Sequence, residues 1–368
     1  MTGNVPQVLT ASEITLLENL MNRLNWHVTK PVLSSFGISL GRGKDATFNK
    51  VLAELSELKI NKPQGFQKTI TEIQKLMLGQ VTYGEKALFN LTVSPQVMVA
   101  ISGSLQNEWA SLQHATSIED ILLDSNQVVA KSKNQPELVN FSSDSQSGVA
   151  LFTSIREQVI KEKIPPSSIP QYQGYDEIIA KRKEKRQCFD IFLFDYVNNK
   201  INILIDTSGD ALGESVLFSK SVMVEKLYGY AGAQFQSVEK DFFPLIQPIF
   251  DQISAPYLGS NYKVFELSFL TPEGTTHQEK KKDASKDLRH DLFNLEGIKA
   301  VGQIGLYRIG IRINRLVPTL QLNDNIELII PGTLRRFLGG SGTAQVNYAI
   351  INNCVSRDDF ESLMQLLS

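Results

Sequence analysis

The chain has 368 residues, of which 42% are hydrophobic and 21% are charged, and its formal net charge is −2. A chain of this composition can bury enough apolar surface to offset the entropy lost on folding, which excludes wholesale disorder. A net charge so close to zero excludes a global positive field of the kind that drives non-specific nucleic-acid binding, so any such binding has to use local basic patches.

The first third of the chain has mainly helical patterns. Thr10-Ala11-Ser12-Glu13 is a capping box, and apolar residues recur behind it at helical spacing, which predicts a helix over residues 11–25. The remaining patterns predict helices over 44–58, 66–78 (with Gly79 just past its end) and 117–123, and strands over 87–93 and 96–101. We therefore expect residues 1–133 to form a mostly helical N-terminal domain.

Residues 134–148 change in character, because they are polar and rich in turn-forming residues. We interpret this segment as a polar linker between two domains, and the alternative is a long surface loop within one domain. The C-terminal domain would then cover residues 149–368. It begins with a predicted helix over 149–163, which Pro165-Pro166 stops.

The clearest pattern in the chain predicts a β-hairpin over residues 189–206. Two runs rich in β-branched and aromatic residues flank Asn198-Asn199, and asparagine tolerates the positive φ that tight turns require. The first run is apolar on both faces from Ile191 to Phe194, so it should lie inside a sheet that is covered on both sides. Further patterns predict helices over 214–227 and 241–253, strands over 262–270, 306–313 and 326–330, and a final helix capped by Ser356.

Helices and strands that do not alternate regularly indicate an α+β fold class. We expect a helical N-terminal domain followed by a mixed α/β domain built around the central hairpin and its sheet. No stretch approaches the length of a transmembrane helix, and the N-terminus lacks the basic and apolar regions of a signal peptide. Cys188 and Cys354 lie far apart and predict buried thiols in a reducing compartment, so we expect a soluble cytoplasmic protein.

Most catalytic and cofactor motifs are absent from the sequence. The segment 37–45 has five residues between Gly37 and Gly43, and Asp45 follows Lys44, which does not fit a phosphate-binding loop. The four histidines have no metal-binding spacing, and there is no Cys-x-x-Cys pair. We predict no metal and no cofactor.

Three local basic runs are the candidate nucleic-acid-binding residues. They are Lys181, Arg182, Lys183, Lys185 and Arg186 before the hairpin, Lys280, Lys281 and Lys282 in the last third, and Arg335 and Arg336 after a predicted strand. If the strand ends gather, these runs could form one patch that holds phosphates. The alternative is that each run is a solvated face, partly neutralised by Glu184, Asp283 and Asp287.

A divergent Mg²⁺-dependent nuclease is the enzymatic alternative, with Asp190, Asp206 and Glu214 as its candidate catalytic residues. Carboxylates on a hairpin can hold Mg²⁺, and a lysine two residues after an acid can orient water. No lysine follows Asp206 at that spacing. The competing interpretation is that Asp195 and Asp206 solvate the ends of strands.

Three strand-like stretches, 189–192 (FDIF), 264–269 (VFELSF) and 307–312 (YRIGIR), lie between residues 189 and 312. Together they resemble uncharacterised bacterial proteins of multi-gene antiviral-defence operons, and no functional residue is transferred from this resemblance. The sequence favours a non-enzymatic accessory or adaptor subunit of a bacterial multi-protein assembly, with a partner protein and with nucleic acid as a further partner. The alternatives are the nuclease above and a purely structural protein-interaction protein.

Overall fold

The structure, a computed structural model, describes residues 8–112, 117–208, 214–251, 262–283, 285–315, 325–339 and 344–367. Helices combine with an antiparallel sheet, so the fold class is α+β and the N-terminal region is helical. Within the described ranges, no helix combines the length and the apolar character that a bilayer span requires. Cys188 and Cys354 are both buried, as predicted.

Four helices open the chain: α1 (Ala11–Arg23), α2 (Trp26–Ser35), α3 (Lys44–Asn61) and α4 (Pro63–Tyr83). The predicted capping box starts α1: the Glu13 amide donates to the Thr10 hydroxyl (3.2 Å), and the Thr10 amide donates to the Glu13 carboxylate (2.7 Å). Gly79 does not end α4 as predicted. It lies inside the helix at a close approach, where a Cβ atom would stand 2.0 Å from the carbonyl oxygen of Val355.

Within the described ranges, eleven strands form one antiparallel sheet. They are β1 (Lys86–Val93), β2 (Glu137–Ser143), β3 (Ser147–Ile164), β4 (Ile178–Asp195), β5 (Lys200–Asp206), β6 (Ser237–Glu239), β7 (Lys263–Leu270), β8 (Thr276–Lys280), β9 (Gly305–Asn314), β10 (Asn325–Ile330) and β11 (Ala349–Asn352). Their order is β2-β3-β4-β5-β1-β11-β10-β9-β7-β8, with β6 paired to β1. The described residues thus place β2 and β8 at opposite edges.

The remaining helices connect strands or cover the sheet. They are α5 (Pro95–Ser111), α6 (Ile118–Ile121), α7 (Ser125–Ala130), α8 (Glu214–Ala231), α9 (Ile246–Asp251), α10 (Leu292–Val301), α11 (Leu334–Leu338) and α12 (Arg357–Met364). The helices predicted over 117–123, over 214–227 and after Ser356 are confirmed. Of the helix predicted over 241–253, residues 246–251 form α9 and a 3₁₀ turn occupies residues 243–245, while residues 252–253 lie outside the described residues.

The predicted hairpin is confirmed as β4 and β5. Asp195 pairs with Lys200, so its turn holds residues 196–199 rather than the two asparagines alone, and Asn199 takes the positive φ of 52°. The strand β4 lies between β3 and β5, as its apolar character required. Its alternate side chains enter two different core layers: Phe189 and Ile191 pack on one side of the sheet, and Phe192 and Phe194 pack on the other.

Two predicted elements have the wrong type. The strand predicted over 96–101 is part of α5, because Ser94 accepts the Val97 amide (3.3 Å) and Pro95 occupies the first helical turn. The helix predicted over 149–163 is β3, whose residues pair with β4 along its full length. Its outer half is solvated on both sides, so charged and apolar residues there do not show the simple alternation of a half-buried strand.

The polar linker predicted at 134–148 is also wrong in its local structure. Residues 137–143 form β2, which pairs with β3 and lies at a sheet edge. Polar residues are common in edge strands because one side of the strand faces solvent. The strand β1, from the predicted N-terminal domain, lies in the middle of the sheet, and Leu16 shares a core with Leu363. A shared sheet and a shared core argue against a domain boundary at this segment.

Candidate functional site

The strands β3 and β4 continue beyond the body of the sheet as a two-stranded ribbon, which we call the arm (residues 156–186). Each strand has 18 residues, whereas the neighbouring β5 has 7. No residue of the arm is buried. At about 3.3 Å per residue, the paired strands from Arg156 to Ile164 extend about 30 Å. At the tip, Tyr172 and Tyr175 are exposed and pack edge to face, with ring centroids 5.6 Å apart.

Five lysines share one face of the arm because odd-numbered residues pair with odd-numbered residues across the two strands. We call this face the lysine face. Its lysines are Lys161, Lys163, Lys181, Lys183 and Lys185. Within a strand they stand two residues apart, which is about 6.6 Å along the ribbon.

Several of these lysines have partners within the protein. Lys163 pairs with Glu177, and the amine of Lys183 lies 3.9 Å from Glu157. The amine of Lys185 donates to the carbonyl oxygens of Val129 (2.8 Å) and Lys131 (2.6 Å), so this lysine ties the end of α7 to the base of the arm.

Lys161 and Lys181 are the exception. They pair directly in the β3–β4 register, and in the part of the chain that the structure describes neither makes an ion pair. Like charges directly opposite on a sheet are destabilising. This exposed pair therefore costs folding free energy in the isolated protein, and an external anion would offset the cost.

The opposite face of the arm has a second like-charge pair, Arg156 and Arg186, which also stand opposite each other. Arg156 pairs with the buried Asp190, while Arg186 makes no ion pair with any described residue. Next along this face, Arg182 lies 2.7 Å from Glu184. Both faces of the arm therefore have basic residues, and the acids partly neutralise them.

Buried charges lie where the arm joins the body of the sheet. Lys86 on β1 is opposite Asp206 on β5, and its amine donates to the carbonyl oxygen of Phe189 (2.7 Å). Burial lowers the pKa of Lys86 to about 8. Burial alone would raise the pKa of Asp206, but Lys86, Arg186 and Arg23 outweigh this effect and hold that pKa well below its ordinary value.

Both aspartates of the nuclease hypothesis are engaged in hydrogen bonds. Asp190 pairs with Arg156 and accepts the Asp206 amide (3.0 Å). Asp206 accepts the amides of Phe189 (2.8 Å) and Ser208 (2.9 Å) as well as the Ser208 hydroxyl. Glu214 is exposed at the start of α8. Among the described residues, no three acidic, histidine or cysteine side chains are grouped to hold a metal ion. This donor arrangement supports a structural role for the two aspartates.

The three predicted basic runs do not gather into one patch. The first lies on β4, whereas Lys280 is on β8 at the opposite edge, with six strands between them. At about 4.8 Å per strand, that separation is about 34 Å. Lys280 lies 3.3 Å from Glu266, Lys281 pairs with Asp291, and Lys282 is exposed. The other predicted residues, Arg335 and Arg336, are exposed on α11.

The sequence interpretation missed Arg156, Lys161 and Lys163 because it assigned them to a helix. The usable signal was the occurrence of lysine at every second position, at 161 and 163 in the first strand of the arm and at 181, 183 and 185 in the second. It also missed the half-buried Arg23 and the buried Lys86. No local pattern distinguishes these two from solvated charges.

Comparisons with protein-family models and with curated proteins find no match for this chain.

Proposed function

We propose that this chain is a non-enzymatic nucleic-acid-binding accessory protein that holds the sugar–phosphate backbone along the lysine face of its arm. One observation carries the proposal. Lys161 and Lys181 stand directly opposite each other in the strand register, and neither makes an ion pair within the described residues. A phosphate between two such lysines relieves their repulsion and releases condensed counterions, and both effects favour binding.

The dimensions of the arm support this proposal. The major groove of a duplex admits a two-stranded β-ribbon, and the arm is a ribbon about 30 Å long that has no core of its own. Contacts from lysine to phosphate position a protein without reading sequence. The exposed rings of Tyr172 and Tyr175 at the tip add surfaces on which unpaired bases can stack.

The accessory part of the proposal, in which the chain serves a bacterial multi-protein assembly for antiviral defence in the cytoplasm, is supported only by the sequence resemblance. A protein-interaction role is the second candidate, and α10 favours it. Leu292 and Phe293 on this helix are 73% and 67% exposed. Large apolar side chains grouped on a surface are typical of contacts with another protein.

Fluorescence anisotropy with labelled duplex and single-stranded oligonucleotides tests the proposal. The test variant is Lys161→Gln/Lys181→Gln/Lys183→Gln. The matched control is Lys282→Gln/Arg335→Gln/Arg336→Gln, which removes the same charge from exposed positions away from the arm. We expect the unmodified protein and the control to bind at low salt and the test variant to bind much more weakly.

Equal loss in both variants would show that binding follows overall charge rather than the arm. Absence of binding by the unmodified protein at low salt would overturn the nucleic-acid proposal and leave the protein-interaction role. Comparison of duplex with single strand shows whether the ribbon or the tyrosine tip makes the larger contribution.

A further inference from the structure

A cavity of about 570 Å³ lies on the other face of the arm, between its base and the first turns of α8. The side chains that matter for its chemistry are Arg156, Arg186, Cys188, Ser208, Ser215 and Ser219. Its inner wall belongs to the body of the protein, since Cys188, Ser208 and Ser219 are all buried. Its volume falls within the range of small-molecule sites, about 300–1,000 Å³.

The charge balance in this cavity favours an anion. Arg156 and Arg186 stand opposite each other at its wall, and only Arg156 has an ion-pair partner within the described residues, the buried Asp190. The acids that reach the cavity are already engaged. Glu157 lies 2.7 Å from Lys133. Asp206 accepts three hydrogen bonds from Phe189 and Ser208, and its charge is compensated by Lys86 and Arg23 as well as by Arg186.

The hydrogen-bonding groups fit a phosphate. The guanidinium of arginine presents a planar fork of donors that matches phosphate oxygens, and serine hydroxyls supply further donors. Ser154, which pairs with Cys188 in the register and is only 3% exposed, has a hydroxyl with no hydrogen-bond partner among the described residues. Ser154 does not line the cavity itself, but it lies two residues along β3 from Arg156.

We propose that this cavity binds a phosphate monoester, with Arg186 as its principal ligand and the hydroxyl of Ser219 as a further donor. The cavity is large enough for a nucleotide, and a terminal 5′-phosphate of a nucleic acid would present the same group. Arg156, Arg186 and Cys188 belong to the face opposite the lysine face, and Lys161 also lines the cavity. The proposed site goes beyond the backbone binding proposed above.

Isothermal titration calorimetry of the full chain with AMP, adenosine and inorganic phosphate tests this site. The test variant is Arg186→Gln. The control variant is Arg182→Gln, which removes a neighbouring exposed arginine of the same strand that does not line the cavity. We expect AMP to bind, adenosine to bind at least tenfold more weakly, and Arg186→Gln to weaken AMP binding at least tenfold while Arg182→Gln leaves it within twofold.

Oligonucleotides with and without a 5′-phosphate distinguish the two sources of the group. A preference for the 5′-phosphate that disappears in Arg186→Gln supports the site with a nucleic-acid end as its ligand, even where AMP binds weakly. A Lys181→Gln/Lys183→Gln variant, whose changes lie outside the cavity, should keep AMP binding. The proposal is overturned if neither AMP nor the 5′-phosphate binds, or if Arg186→Gln binds both as well as the unmodified protein does.

Discussion

Lys86 and Asp206 face each other in register between β1 and β5, and both are buried where the hairpin meets the centre of the sheet. Asp206 also accepts the Phe189 amide, while Lys86 donates to the Phe189 carbonyl oxygen. The two charges thus fix both backbone groups of one residue at the base of the arm.

Asp206→Asn should destabilise the fold by about 3–5 kcal/mol at neutral pH, because it leaves the buried Lys86 and the half-buried Arg23 without the compensating charge. The folded pKa of Asp206 lies below its ordinary value of 3.8, so its stabilisation is present above that value and is lost as the pH falls through lower values. Urea unfolding at neutral pH and at pH values below 3.8 measures how much the free energy of unfolding falls on acidification. This fall should be smaller in the variant than in the unmodified protein. An equal fall in the free energy of unfolding in both proteins would contradict the stabilising role of ionised Asp206.

Removing both charges should lower the free energy of unfolding by less than the sum of the two single substitutions. Lys86→Met in the Asp206→Asn background eliminates the unpaired buried cation, so the double variant should be more stable than additivity predicts. A double-mutant cycle by urea unfolding measures this coupling. Additive effects would show that the two side chains do not depend on each other.

Gly79→Ala should be destabilising although alanine is the better helix former. A Cβ atom at this position of α4 would stand 2.0 Å from the Val355 carbonyl oxygen, which forces the C-terminal segment away. The matched control is Gly103→Ala in α5, where no heavy atom lies within 4 Å of the added Cβ, and it should stabilise by about 1 kcal/mol. Melting temperatures that shift in the same direction in both variants would contradict the close approach of Gly79 to the Val355 carbonyl oxygen.

Shortening the arm should leave the fold intact. Gln158 and Glu184 pair in register, so replacing residues 159–183 by Asn-Gly joins the strands with a tight turn. Because none of the removed residues is buried, the melting temperature should change little, whereas nucleic-acid binding should be lost. A large drop in melting temperature would show that the arm contributes to the core.

Local patterns predicted α1 and the hairpin because their signals lie within a few residues, but they did not predict α2 and assigned part of α5 to a strand. Thr10 and Glu13 cap α1 through side chains three positions apart, and the two runs around Asn198 pair through one turn. The arm was missed because a ribbon that is solvated on both faces does not alternate between apolar and polar residues as a half-buried strand does. Such a strand is recognisable only through its partner, which lies beyond a connection of residues 165–177.

The candidate site was predicted only in part for the same reason. Lys181, Lys183 and Lys185 were identified from composition, but Lys161 became relevant only when the register placed it opposite Lys181. The expectation that Lys280 and its neighbours join this patch failed because strand order, which depends on long-range pairing, separates them.

The salt dependence of nucleic-acid binding tests the central claim most directly. For the unmodified chain, log affinity for a duplex should fall linearly with log salt concentration, and Lys161→Gln/Lys181→Gln/Lys183→Gln should reduce the slope by about 2–3, at about 0.9 per phosphate contact. The control variant Lys282→Gln/Arg335→Gln/Arg336→Gln should keep the original slope. An unchanged slope in the test variant, or an equal reduction in the control, would contradict backbone binding along the lysine face.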